Sequence, residues 1–183
     1  YYFVKHFDTY LRERGKTVIG WDEILDGSAV PSTVVMSYRG HAPASRAFEK
    51  DMKVILAPNR WCYYDYDQEE IKDIPSNHHL FITLRKGYTY DYTKYINPAV
   101  VDKADDLLLG IQACVWGEYI PDTPKLHLQT FPRSATIAEV TWSPDSVRNW
   151  DNFRVRLGKE FERLEAQNVN YSKAYWQVIV NMD

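Results

Sequence analysis

Four short apolar runs, at residues 17–21, 34–37, 53–56 and 107–115, limit the architectures open to this chain. Within each run the apolar residues follow one another without regular polar alternation. That is the pattern of strands covered on both faces, as in a parallel sheet. Helical periods lie between and around them. Phe3, Val4, Phe7, Tyr10 and Leu11 form one apolar face ahead of Gly15, a C-cap residue. Residues 43–50 put Ala44, Ala47 and Phe48 on one side. A helix is expected over about 124–140 and another over about 144–167. The second has Ser143 as N-cap and Pro144 at its first position, and buries Trp150, Phe153, Leu157, Phe161 and Leu164.

This order predicts an α/β fold with parallel strands. A complete (β/α)-barrel needs eight strands and typically ~250 residues. Four strands in 183 residues predict half a barrel, one partial barrel domain over 1–183, with a small open α/β sheet as the alternative. The chain opens inside a helix, so it is expected to be a piece of a longer protein. There is no internal repeat, and residues 58–106 form a long irregular segment rich in Tyr, Asp, Asn, His and Pro.

Composition excludes several classes. Six Trp, fourteen Tyr and seven Phe are too many for a disordered chain. No apolar run approaches the ~18 residues of a membrane span. A net charge of −3 without a basic block argues against nucleic acid as a partner. Two cysteines, Cys62 and Cys114, make no disulfide framework, and buried free thiols are expected.

Ligands of parallel α/β folds meet the carboxyl ends of the strands. The first run ends in Trp21-Asp22-Glu23 and the second in Tyr38-Arg39-Gly40. The third leads to Trp61-Cys62-Tyr63-Tyr64-Asp65-Tyr66, and the fourth ends in Trp116-Gly117-Glu118-Tyr119. Rings stack on sugar C–H faces, and carboxylates accept charge-assisted hydrogen bonds from hydroxyls. Trp21, Tyr63, Asp65, Trp116 and Glu118 are therefore expected around one sugar cavity.

Five strings in order carry a family likeness: VIGWDEIL (18–25), VVMSYRG (34–40), CYYDYDQ (62–68), GIQACVWGEYI (110–120) and PRSATIAEVTWSP (132–144). Together they resemble the second half of family-20 β-N-acetylhexosaminidases, over about residues 1–157. The resemblance implies the second half of a (β/α)8 TIM barrel that binds the terminal N-acetylhexosamine of a glycan. It implies retaining, substrate-assisted hydrolysis through an oxazolinium ion, an exception to the two-carboxylate scheme, with no cofactor and no metal. Trp21, Tyr38 and Trp116 would wall the sugar pocket. Tyr63 would hold the acetamide oxygen for attack, and Asp65 and Glu118 would grip hydroxyls 4 and 6. Most members carry Trp where this chain has Tyr38.

The family's catalytic Asp-Glu pair follows a His-x-Gly-Gly string, and this sequence contains none. Asp22-Glu23 matches the end of a different strand and is set aside as structural or loop carboxylates. The isolated chain is accordingly expected to be inactive, with the acid supplied by the missing N-terminal half of the barrel. A non-catalytic structural or weak sugar-binding half-barrel is the alternative. Exposed sheet edges predict a homodimer. Localisation is not legible, although bacterial members resemble exported hydrolases. None of His6, His41, His78, His79 and His127 has metal-ligand spacing, and His78-His79 is expected in solvent. Arg133 and Glu139 are expected as scaffold hydrogen bonds. Trp142 and Trp150 are expected in helix packing, and Glu160, Glu162, Arg163 and Glu165 on a solvated face.

Overall fold

The computed structural model describes residues 1–27, 29–68 and 80–174. His78 and His79 lie outside them. In chain order the elements begin with α1 (Tyr2–Arg12), β1 (Ile19–Trp21), β2 (Val34–Ser37), α2 (Ala42–Glu49), β3 (Val54–Leu56) and α3 (Asn59–Cys62). They continue with α4 (Leu84–Tyr88), α5 (Ala104–Leu107), β4 (Leu108–Ile111), α6 (Thr123–Thr130), α7 (Ser134–Trp142) and α8 (Trp150–Ala166). The chain forms two compact units, one of residues 1–59 and 91–112, the other of 60–90 and 113–183.

The first unit holds a four-stranded, all-parallel sheet in the order β1-β2-β3-β4. Sequential neighbours in parallel register are what successive βα units produce. The expected strands are present at all four runs, so the α/β class stands. Gly20, Val35, Val54 and Leu108 share register across the sheet. Val35, Val54 and Leu108 pack with Ala44, Ala47 and Phe48 of α2 in one core. The last run is shorter than expected. A register slip between Val54 and Ile55 leaves Leu109 unpaired, and Gly110 adopts φ +150°. The ladder ends at Ile111. α1 differs too: Phe3, Phe7 and Tyr10 are exposed and Asp8 is buried, accepting a hydrogen bond from Ser32.

In the second unit, α8 buries Phe153, Leu157, Phe161 and Leu164 against Leu84, Tyr88 and Tyr171. Its start is a correction. Residues 145–147 make a single 3₁₀ turn, and α8 begins at Trp150. Asn149 is its N-cap, accepting from Asn152 N–H, and Ser143 instead closes α7. The single helix expected over 124–140 is two helices, because Pro132 has no N–H to donate and keeps Phe131 out of helical geometry. Gly87 lets α4 lie against α7, since a Cβ there would collide with Thr136. Trp150 packs on Tyr88 and Phe153, as expected, but Trp142 is 86% exposed and packs no core.

Candidate sugar-binding edges

In the first unit, β1 delivers Trp21 and β2 delivers Tyr38. Their rings meet edge to face, with centroids 5.3 Å apart. Gly20 permits the chain to turn tightly after Trp21, because a Cβ there would come within 2.7 Å of Ile24 Cγ2. The 3₁₀ turn Asp22–Leu25 follows and aims two carboxylates back at the end of β2. Asp22 is fully buried. Its Oδ2 accepts from the backbone N–H groups of Tyr38 and Arg39 at 2.8 and 3.0 Å, and its Oδ1 accepts from Arg39 Nε. Arg39 reaches on to both oxygens of Asp26 at 3.1 and 2.9 Å, and Arg46 lies 3.5 Å from Asp26. The hydrogen bond from Arg39 holds the Asp26 carboxyl below its ordinary pKa. Glu23 Oε1 accepts from the Tyr38 hydroxyl at 2.5 Å, and that bond to an anion, with lesser burial, raises the phenol's pKa.

Asp22 and Glu23 thus both accept hydrogen bonds from the Tyr38–Arg39 segment at the end of β2. Close by in sequence, His41 stacks on Tyr95 at 4.8 Å, and burial lowers its pKa to about 4.

The second unit brings Tyr63 and Trp116 together, with centroids 5.6 Å apart, and Tyr66 lies 6.0 Å from Tyr63. The backbone joins their two segments: Tyr63 bridges Cys114, Cys114 N–H donates to Cys62 C=O at 2.8 Å, and Tyr64 N–H donates to Cys114 C=O at 2.7 Å. Cys62 and Cys114 are both buried thiols outside any disulfide, as expected. Burial, then the neighbouring Cys114, pushes the Cys62 thiol up, which makes it an inert packing group. Asp65 is 2% exposed, whereas Trp116 and Glu118 are exposed.

What holds this segment in place was not legible as more than scaffold. Arg133 is fully buried. It donates to the carbonyls of Gln129 at 2.7 Å and Ile82 at 3.1 Å and to that of Tyr64, and its guanidinium lies 4.4 Å from the Tyr64 ring centroid. The Tyr64 hydroxyl returns a bond to Arg133 C=O at 3.0 Å. Gln129 donates to Asp65 C=O at 3.0 Å and to Asp67 Oδ1 at 3.2 Å. Gln68 donates to Leu128 C=O and Phe131 C=O at 2.5 and 2.9 Å. Glu139 is the expected scaffold group, accepting two bonds from Arg156.

A groove of about 840 Å³ in the second unit lies between α7 and α8 beside Trp142, and none of the expected sugar residues lines it. Among the described residues no cluster of three or more His, Cys, Asp or Glu could hold a metal ion, and no helix is long and apolar enough to cross a membrane.

Each unit therefore presents an edge-to-face aromatic pair built from the strings singled out in the sequence, and in the first unit the Glu23 carboxylate holds one of the rings. The profile described as glycosyl hydrolase family 20, catalytic domain, matches residues 1–145. A β-hexosaminidase of Porphyromonas gingivalis is 34% identical over 171 residues, which are 93% of this chain and 22% of that protein. A β-N-acetylhexosaminidase of Cellulomonas fimi is 30% identical over 152 residues, 81% of this chain and 30% of that one. The chain spans less than a third of the length of these relatives.

Among solved structures, the GH20 β-N-acetylhexosaminidase of Streptomyces coelicolor superposes with a TM-score of 0.81 at 26% identity, over 94% of this chain and 35% of that one. The Vibrio harveyi GH20 exo-β-N-acetylglucosaminidase in complex with N-acetylglucosamine gives 0.82 at 27% identity, over 94% and 27%. Motifs, fold and kinship agree: this chain belongs to glycosyl hydrolase family 20, within its catalytic domain.

Proposed function

We propose that this chain is a substrate-binding part of a β-N-acetylhexosaminidase, which removes terminal N-acetylhexosamine from glycans. The observation that carries this is the pairing of rings at Trp21–Tyr38 and at Tyr63–Trp116 in a family-20 chain. In this reading Trp21, Tyr38 and Trp116 pack on the sugar and its acetamide. The Tyr63 hydroxyl donates to the acetamide oxygen and holds it for attack on the anomeric carbon, and such pre-alignment lowers the entropic part of the barrier. Asp65 and Glu118 accept hydrogen bonds from hydroxyls 4 and 6. The acetamide oxygen displaces the leaving group to give an oxazolinium ion, and water opens it with net retention.

The protonating Glu and the Asp that orients the acetamide nitrogen come from other residues of a longer parent. Asp22 and Glu23 do not replace them, because Arg39, the Tyr38 and Arg39 N–H groups and the Tyr38 hydroxyl occupy them. The 183-residue chain alone is therefore inactive.

The test pairs a turnover assay with a binding assay. The chain is incubated with 4-nitrophenyl N-acetyl-β-glucosaminide and, separately, titrated calorimetrically with N-acetylglucosamine. The expected result is nitrophenol release at the buffer rate and saturable heat on adding the sugar. Release well above buffer contradicts the missing acid, and absent heat contradicts the sugar site. The same reading has two copies associating through the β1 edge of the sheet, where Ile19 is 53% exposed. A concentration-independent monomer in sedimentation velocity removes that part.

A further inference from the structure

We propose that Glu23 is a positioning residue that fixes the Tyr38 ring against Trp21, and so sets which face of Tyr38 a ligand meets. The inference deepens the sugar-binding reading of Tyr38 and rests on it. Tyr38 is held at two separate points. Buried Asp22 grips its backbone N–H at 2.8 Å. That fixes where the side chain starts but leaves rotation about its side-chain torsions open. Glu23 closes that freedom at the far end, where Oε1 takes the phenolic hydrogen at 2.5 Å. With both ends held, the ring meets Trp21 edge to face, interplanar angle 79°.

Two consequences follow for a ligand. The hydroxyl's single hydrogen is already given to Glu23, so Tyr38 has no donor left for a sugar oxygen. It offers ring carbon instead, which suits a methyl group or a C–H face. Glu23, exposed and two residues beyond Trp21, acts through Tyr38 without itself carrying chemistry.

The experiment uses the 183-residue chain and the variants Glu23→Ala, Glu23→Gln, Tyr38→Phe and the double Glu23→Ala/Tyr38→Phe. Near-ultraviolet circular dichroism, with Trp21→Phe marking the Trp21 contribution, reports the ring pair. Calorimetric titration with N-acetylglucosamine reports the wall. Glu23→Ala and Tyr38→Phe each diminish the Trp21 band and weaken the sugar about fivefold, the size of one hydrogen bond. The double variant goes no further than either single one. Glu23→Gln still accepts the hydroxyl and stays within about twofold of the parent. Effects of the two single substitutions that add, or an unchanged Trp21 band in Glu23→Ala, overturn the proposal. A band that changes as stated in a chain that binds no sugar upholds the positioning role and defeats the sugar reading instead.

Discussion

Trp21 meets Tyr38 at 5.3 Å in the first unit, and Tyr63 meets Trp116 at 5.6 Å in the second, with similar edge-on geometry. Their supports differ in kind. The first pair is held by acids: Asp22, Glu23 and Asp26 accept from Tyr38 and Arg39, and only Asp22 is buried. In the second unit the chain just after Tyr63 is held by a cation: buried Arg133 donates to three carbonyls, that of Tyr64 among them, with Gln129 and Gln68 completing the lattice. A guanidinium among carbonyls keeps its charge at any ordinary pH and lies beyond the reach of salt. An exposed carboxylate arm is screened and can be protonated. Similar rings can thus be presented by a responsive frame or by an unresponsive one.

The largest effect that would break this contrast is expected at Arg133. Arg133→Met leaves the Tyr64, Ile82 and Gln129 carbonyls without their donor and should cost ~3–5 kcal/mol in denaturant unfolding. A loss under 1 kcal/mol would mean that the lattice holds without its centre. Asp22→Ala strands two backbone N–H groups and should cost less, ~2–3 kcal/mol, by the same measurement. Equal losses at the two positions would erase the distinction.

A pH titration sharpens the contrast further. Burial lowers the pKa of His41 from 6.5 to about 4, so below 6.5 the unfolded chain takes up the proton first. The stability contributed is complete above pH 6.5 and is lost as pH falls toward about 4. His41→Phe, which can keep the stack on Tyr95, should flatten that slope. The smallest effect is at Asp26, whose carboxyl is held below 3.8 by Arg39, so its contribution is present above that pH and fades below it. Added salt should weaken this exposed arm slightly, so Asp26→Asn should lower the low-salt, neutral-pH midpoint by a small amount that high salt erases.

The parts of the fold that were legible are those specified by local pattern. The runs ending at Trp21, Ser37, Leu56 and Ile111 are strands, as their unbroken apolar residues predict, although the end strands are not covered on both faces, with Ile19 and Leu109 each 53% exposed. The buried stripe Phe153, Leu157, Phe161 and Leu164 follows directly from helical spacing. The start of α8 was not legible, since Ser143-Pro144 and Asn149 are both sound caps and only packing chooses between them. Trp142 has the composition of a core residue and lies outside the core.

At the candidate site, the strings located every ring that pairs. They marked Arg133 as a scaffold group but not its partners, because the carbonyls it holds lie 51 and 69 residues away in sequence. Likewise Asp22 and Glu23 read from sequence as structural or loop carboxylates, but the partners that hold them, 15 to 17 residues downstream, are set by the fold.

The most direct test is a ¹⁵N-indole NMR titration of the 183-residue chain with N-acetylglucosamine, the tryptophan signals assigned by single Trp→Phe variants. The account predicts that the signals of Trp21 and Trp116 both shift saturably, while Trp142, far out in solvent, stays still. Signals at Trp21 and Trp116 that do not move, or that move equally with glucose, would contradict it.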